Sequence, residues 1–391
     1  MTQPVILAAK RTPIGRFLGG LSRVPSPKLG TMAIEAVLAE APAAKDNVDE
    51  CIMGCVLQAG LGQNPARQAG LRAGLPDTLN AMTINKVCGS GLQSVMLAAQ
   101  SIKAGDNDLV LAGGFENMSL APHMEYVRTG VKYGEAKMMD HMAADGLSCA
   151  FEGWPMGNAA DHIAQKHGIS REEQDRFAAQ SNHRAAEATE KCLFEKEMVK
   201  LAADKIKQKA DVVSDEGFRA DTTAEKLAKL RPAFAKDGTV TAGNASQISD
   251  GAAAVIVCSD KKAGELGAAP MARIVDYCTV GVAPKEIFDA PAKGLKMLLE
   301  RNNLSVGDID LFELNEAFAA QALANIKEMG LPEDRLNICG GGIALGHPIG
   351  ASGARILVTL LHQMQRTDAK RGIASLCLGG GNAVSMLVER G

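Results

Sequence analysis

The chain predicts an α/β fold in which one design is used twice, with a loop domain inserted between the two uses. A pattern of helix, break, strand and glycine-rich segment at residues 89–117 returns at 351–382 with similar but unequal spacing, the mark of an internal repeat. The 391 residues include 41 glycines but only 4% aromatics, so small side chains must do much of the packing. From about residue 118 to 239 the composition shifts toward Met, Lys, Glu and Asp while apolar residues keep recurring, which reads as an inserted domain rather than a linker. The expected division is 1–117 with 240–268 as the first half, 118–239 as the loop domain and 269–391 as the second half.

The elements follow in order. Val5-Ile6-Leu7-Ala8-Ala9 reads as a strand. Residues 89–103 predict a helix apolar on most sides through Leu92, Val95, Met96 and Leu97, ended by Gly105-Asp106. A strand at 109–112 follows, and then Gly113-Gly114-Phe115-Glu116-Asn117. Residues 170–191 predict the strongest helix of the loop domain, because Ser170 followed by Glu173 forms a capping box. Residues 309–314 read as a strand and 316–328 as a helix, with Asn315 between them. The second half closes with a helix at 351–365, a polar break at 366–372, a strand at 373–378 and Gly379-Gly380-Gly381-Asn382. The pairs Ser90-Gly91 and Ser352-Gly353 hold matching places at the two helix starts.

Composition excludes several classes of function. A net charge of −3 without a Lys/Arg run interleaved with aromatics leaves no footprint for nucleic acid. No apolar run approaches the roughly 18 residues of a membrane span. Nine cysteines are an odd number in a chain too long for a secreted disulfide scaffold, and no signal segment precedes the first strand, so a reducing cytoplasmic setting is expected. Cys51 and Cys55 lack a second pair at ligand spacing, so no metal is expected. The lysines from 191 to 209 read as a solvated face before they read as a phosphate site.

Three short motifs carry the chemistry. Cys88 in Val87-Cys88-Gly89-Ser90-Gly91 stands at a predicted helix start, where N–H groups lower a thiol's pKa. His347 in Gly346-His347-Pro348-Ile349-Gly350 is held extended by the following proline, unlike the remaining histidines, which show no obvious partner. Cys377 precedes Leu378-Gly379-Gly380-Gly381, where glycines let backbone N–H groups approach a substrate. A nucleophilic thiol, a histidine and a second thiol suit acyl transfer. Asn315 and Glu316 sit at the carboxyl end of a strand, where α/β ligands gather, but their spacing equally fits a helix cap and a helix-start carboxylate.

Together with Asn315-Glu316-Ala317-Phe318, Gly62-Gln63-Asn64-Pro65-Ala66-Arg67 and Thr239-Val240-Thr241-Ala242-Gly243-Asn244-Ala245-Ser246, these motifs run the length of the chain and resemble the signature set of the thiolases. Gly130-Val131-Lys132-Tyr133-Gly134, continuing through Asp140, is similar to the tetramerisation loop of the members that make acetoacetyl-CoA. The resemblance implies a five-layered αβαβα fold and a homotetramer built as a dimer of dimers. It implies Cys88 as the acylated nucleophile, His347 as its activator and Cys377 as the base. Oxyanion sites are implied at His347 with a water held by Asn315, and at the N–H groups of Cys88 and Gly379. Leu147, Met156, Arg219, Phe234, Ala242, Gly243, Ser246, Ala317 and Phe318 would contact coenzyme A, which with acetyl-CoA and acetoacetyl-CoA would be a substrate and not a resident cofactor. The implied reaction is the reversible condensation of two acetyl-CoA. A longer-chain 3-ketoacyl-CoA thiolase and a non-catalytic acyl-CoA or lipid-binding relative are the alternatives. Pro155 beside Met156 and the stretch Glu286-Ile287-Phe288-Asp289-Ala290-Pro291 depart from the family's usual pattern and bear on acyl-chain length.

Overall fold

The computed structural model describes residues 2–391. Among them a ten-stranded sheet forms the frame. Its longer strands are β1 (Pro4–Arg11), β2 (Glu50–Gly54), β3 (Asn80–Ile84), β4 (Leu109–Asn117), β5 (Ser249–Ser259), β6 (Ala272–Gly281), β7 (Leu311–Leu314), β8 (Arg371–Leu378) and β9 (Asn382–Glu389). Their spatial order is β7-β8-β9-β6-β1-β5-β4-β2-β3, with the two-residue strand Gly15–Arg16 on β5. Within the sheet, the described residues of the two halves pair at two positions of β1 and β6, Val5 with Arg273 and Ile6 with Ala272.

Seven helices matter for the site: α1 (Ser26–Glu40), α2 (Ser90–Ala104), α3 (Met156–Lys166), α4 (Arg171–Glu190), α5 (Ala290–Arg301), α6 (Ala319–Met329) and α7 (Ile349–Thr367). Leu92 and Val95 of α2 and Ile356 and Leu361 of α7 share one core with Val110 and Val255 of the first half and Ala374 and Met386 of the second. The two helices therefore form a central layer between the two halves of the sheet. The outer face of the first half is covered by α1, through Leu29, Ile34 and Val37 against Met53, Leu111 and Ile256. The outer face of the second is covered by α5 and α6, through Leu295, Leu298 and Ile326 against Leu314 and Leu387. Helix, sheet, helix, sheet, helix is the resulting sequence of layers.

The repeated Ser-Gly pairs mark where the central helices cross. A Cβ on Gly91 would lie 2.7 Å from Ala354 N, and one on Gly353 would lie 2.4 Å from Leu92 N. Neither distance admits a side chain, so the backbones approach as closely as glycine permits.

Several predicted boundaries move. Strand β4 runs on through Asn117, so Gly113-Gly114-Phe115-Glu116-Asn117 is strand and buried throughout rather than a segment beyond it. Gly114 is demanded by packing, since a Cβ there would meet Gly350 O at 2.1 Å. Helix α7 begins at Ile349 and ends at Thr367, and β8 begins at Arg371, so the polar break is shorter than expected. Helix α6 begins at Ala319 with Phe318 as its N-cap, which leaves Asn315 and Glu316 outside it. The 170–191 prediction fares well: α4 spans Arg171–Glu190 and both bonds of the Ser170/Glu173 capping box are made.

Between β4 and β5 the chain wraps the site with α3, α4 and shorter pieces. This region is tied to the sheet by Arg11, fully buried, which donates from Nε to Glu197 at 2.5 Å and from its terminal nitrogens to Asp215 at 2.7 and 2.9 Å. Residues 125–138 stand exposed between the paired strands His123–Met124 and Met139–Asp140. All nine cysteines are free thiols. Among the described residues no helix is long and apolar enough to cross a membrane.

Candidate active site

The loop before α2 is shaped by one hydroxyl. Ser90 Oγ accepts the Lys86 N–H at 2.8 Å and donates to Val87 O at 2.6 Å, while Val87 is held at φ +48°. Positive φ is unfavourable for a β-branched residue, so the loop is over-determined by its contacts. Gly89 lies beneath Leu378, whose Cδ2 would be 2.4 Å from a Cβ there. That close approach brings Cys88 to the end of β8, where Cys377 pairs with Ala383 before the turn through Gly380 and Gly381, at φ +86° and +85°.

His347 enters from the other central helix. Its N–H donates to Gln247 O at 3.0 Å, and Gly346 at φ +109° has no room for a Cβ beside Ser249 Oγ. Pro348 is the N-cap of α7. His347 Nδ1 lies 2.5 Å from Ser352 Oγ, and that hydroxyl donates to Pro348 O at 2.9 Å. With its one proton committed to the carbonyl, the serine oxygen receives the Nδ1 proton. Nε2 is then the unprotonated nitrogen. Burial, with Arg355 as a second cause, lowers the His347 pKa to about 3, so the ring is neutral at rest.

The thiols are uncharged as well. Burial pushes Cys88 up to about 12, against the opposing pull of the Gly379 N–H and its own N–H, and the Glu116 carboxylate adds to the rise. The helix start was expected to lower this value. Desolvation outweighs it because the opposite half of the molecule closes over the loop. Cys377 is pushed well above the ordinary thiol range, first by burial and then by Cys88.

These groups open onto one cavity of about 1060 Å³. Its wall carries Cys88, His347, Cys377 and Gly379, and also Leu147, Met156, Arg219, Phe234, Ala242, Ser246, Ala317 and Phe318. Two predicted residues are not on the wall. Gly243 backs onto the side chains of Leu227 and Leu230. Asn315 is fully buried, its N–H donating to Ser375 O at 3.0 Å while neither atom of its amide has a protein partner. Glu316 is neither an exposed carboxylate nor a helix start. It is buried, receives Ser181 Oγ at 2.6 Å and Asn337 Nδ2 at 3.0 Å, and is raised in pKa by burial.

Sequence reasoning passed over several contributors. The stretch 286–291 was singled out as a whole for chain length, but not which of its residues reach the cavity: Ile287 and Phe288 form wall, and Phe288 and Phe234 meet Phe318 edge-on at 5.5 and 6.3 Å between ring centres. Ser352 was legible only as part of a repeated pair. Glu116 lay in a quoted motif without a role; its buried carboxylate accepts Val56 N at 3.0 Å, Leu57 N at 3.1 Å and Gly350 N at 2.9 Å, and burial raises it to about 7. Several histidines do have partners: His141 with Asp145, His162 with Glu286 and His167 with Asp289.

Residues 4–261 match the thiolase N-terminal domain and residues 268–390 the thiolase C-terminal domain. The chain belongs to the thiolase family. It is similar to the acetyl-CoA acetyltransferase of Chromobacterium violaceum, at 51% identity over 98% of this chain and 99% of that protein. It is similar also to the acetyl-CoA acetyltransferase of Cupriavidus necator and to a probable acetyl-CoA acyltransferase of Staphylococcus aureus strain COL, each at 50% identity with both chains covered in full. In this thiolase the boundary between the two matched domains falls between β5 and β6, beside the narrow junction of the sheet.

Proposed function

We propose that the protein is an acetyl-CoA C-acetyltransferase that reversibly condenses two acetyl-CoA into acetoacetyl-CoA and coenzyme A through an acetyl-Cys88 intermediate. The observation that carries this reading is the convergence of two neutral thiols, a neutral histidine with a free Nε2 and the Gly379 turn on one cavity. His347 Nε2 takes the Cys88 proton as the sulfur attacks the first thioester, and the departing coenzyme A sulfur takes the proton of Cys377. Cys377 is left as a thiolate. Its raised pKa makes it a strong base, suited to the weakly acidic α-carbon of the second acetyl-CoA. The resulting carbanion attacks acetyl-Cys88, and the Cys88 sulfur leaves and recovers its proton from His347.

The acyl-enzyme oxygen lies within reach of the Cys88 and Gly379 N–H groups in this scheme, and the enolate oxygen is served by His347 and a water on Asn315. The unpartnered Asn315 amide supports that assignment, because a buried amide without partners is costly. Leu147, Met156, Arg219, Phe234, Ala242, Ser246, Ala317 and Phe318 would contact coenzyme A, which is substrate rather than resident cofactor. Gly243, beside the wall residue Ala242, packs on Leu227 and Leu230 and is left out of that contact set. A homotetramer is the assembly we favour, since Tyr126, Val127, Tyr133 and Met138 are exposed together in the loop that resembles a tetramerisation element; the cytoplasm is the location we favour on the composition of the chain, with its nine cysteines.

Incubation with labelled acetyl-CoA, rapid quench and peptide mapping test the scheme. Cys88 should carry the acetyl group in the native protein and in Cys377→Ala, while Cys377→Ala loses condensation by at least a thousandfold. Label on Cys377 with Cys88 free would reverse the roles, and equal loss of both steps would remove the division between them.

A further inference from the structure

The segment Pro284–Asp289 is held from two sides. Residues Pro284–Asp289 form a short 3-10 turn in which Ile287 and Phe288 are buried on the cavity wall. The residues on either side of that pair carry charge and turn to helix α3. Glu286 meets His162 Nε2 at 3.1 Å and also Lys166, whose Nζ lies 2.6 Å from Asp289, and Asp289 meets His167 Nε2 at 2.8 Å. His162 and Lys166 stand four residues apart, one turn above the other on the same helix face. From below, the buried Asn325 donates to Phe288 O at 2.8 Å and accepts the Ala292 N–H at 2.7 Å.

Helix α3 joins two walls of the cavity. Its first residue, Met156, lines the cavity, and its last turn grips the segment that presents Ile287 and Phe288. The grip therefore sets how far Phe288 stands from Met156. Isolated ion pairs at a surface contribute little, but one lysine shared between two largely buried carboxylates is a network, and the Lys166 bond is the leading cause that holds Glu286 down to about 2.

We propose that the cluster of His162, Lys166, His167, Glu286 and Asp289 is an acyl-length gauge, positioning Ile287 and Phe288 so that the cavity admits short 3-ketoacyl groups and rejects long ones. The proposal rests on the acyl transfer set out above. None of the five residues touches the reacting atoms. They act through Phe288, so their effect belongs in chain-length discrimination rather than in the chemical step.

The test is Glu286→Gln/Asp289→Asn, which keeps side-chain shape and removes charge, with Lys166→Gln as a second route that breaks the grip from the more exposed side. Thiolysis kcat/KM is measured on four- and eight-carbon 3-ketoacyl-CoA, and affinities for acetyl-CoA and octanoyl-CoA are measured by calorimetry. Both variants should raise the eight-to-four-carbon kcat/KM ratio by tenfold or more while the four-carbon value stays within about threefold of the original. The octanoyl-to-acetyl affinity ratio should rise in parallel. Ratios unchanged in folded variants would overturn the gauge. A native protein that binds acyl-CoA without transferring acyl groups would instead overturn the proposed activity, and the affinity ratio would still decide the gauge.

Discussion

Replacing Ser352 by alanine isolates the bond that fixes the His347 tautomer. Ser352 Oγ stands 2.5 Å from His347 Nδ1, and both residues are buried. Without the hydroxyl, the buried Nδ1 proton loses its acceptor, at a cost of about 1–3 kcal/mol for an unsatisfied buried donor. The penalty grows as the ring takes up a second proton, because imidazolium donates from both nitrogens. Each 1.4 kcal/mol is about tenfold in rate, so acetylation of Cys88 should slow by about 10- to 100-fold. The fold should tolerate the change. Pro348 O keeps the backbone N–H of Ser352 at 2.9 Å, and alanine is the residue best suited to a helix. Single-turnover acetylation followed by rapid quench measures the rate, and a thermal melt measures stability. An unchanged acetylation rate would refute the tautomer assignment. A loss of activity matched by a large drop in Tm would place Ser352 among packing residues instead.

Stability should fall between pH 6.5 and 8. Burial raises Glu116 to about 7 and Glu313 to about 8, so the folded state binds these protons more tightly than the unfolded chain and loses that advantage as pH rises. The fall should be on the order of 2 kcal/mol by denaturant titration. His347, lowered to about 3, works in the opposite direction only below its unfolded value near 6.5 and leaves this window alone; a flat or rising profile would contradict the burial of both acids in protonatable form. Deleting residues 128–140 should convert tetramers into dimers by light scattering while Cys88 is still acetylated, because the segment is exposed and lies apart from the cavity wall. A native protein that is already dimeric at high concentration would rule out that use of the loop.

Local signals survive in the sequence where the chemistry is local. The capping box at Ser170 needs only residues three apart, and α4 begins there. The glycines and the proline around Cys88, His347 and Cys377 stand out because backbone approach and restricted conformation are written into residue type. The repeated Ser-Gly pairs were visible as a repeat, but that they mark a crossing of α2 and α7 requires both halves in place.

Where a residue's partner lies far along the chain, the sequence misleads. Asn315 and Glu316 have the local look of a helix start, yet the carboxylate is claimed by Ser181 and Asn337, and α6 waits until Ala319. Cys88 has the local look of an activated thiol, yet the approach of β8 removes water and raises its pKa. Residue types and short spacings determined which groups are available for chemistry and which backbones can come close. The tertiary structure alone decided which groups meet, which lose their water and which are therefore neutral, because desolvation and long-range hydrogen bonds depend on distance in space and not on distance along the chain.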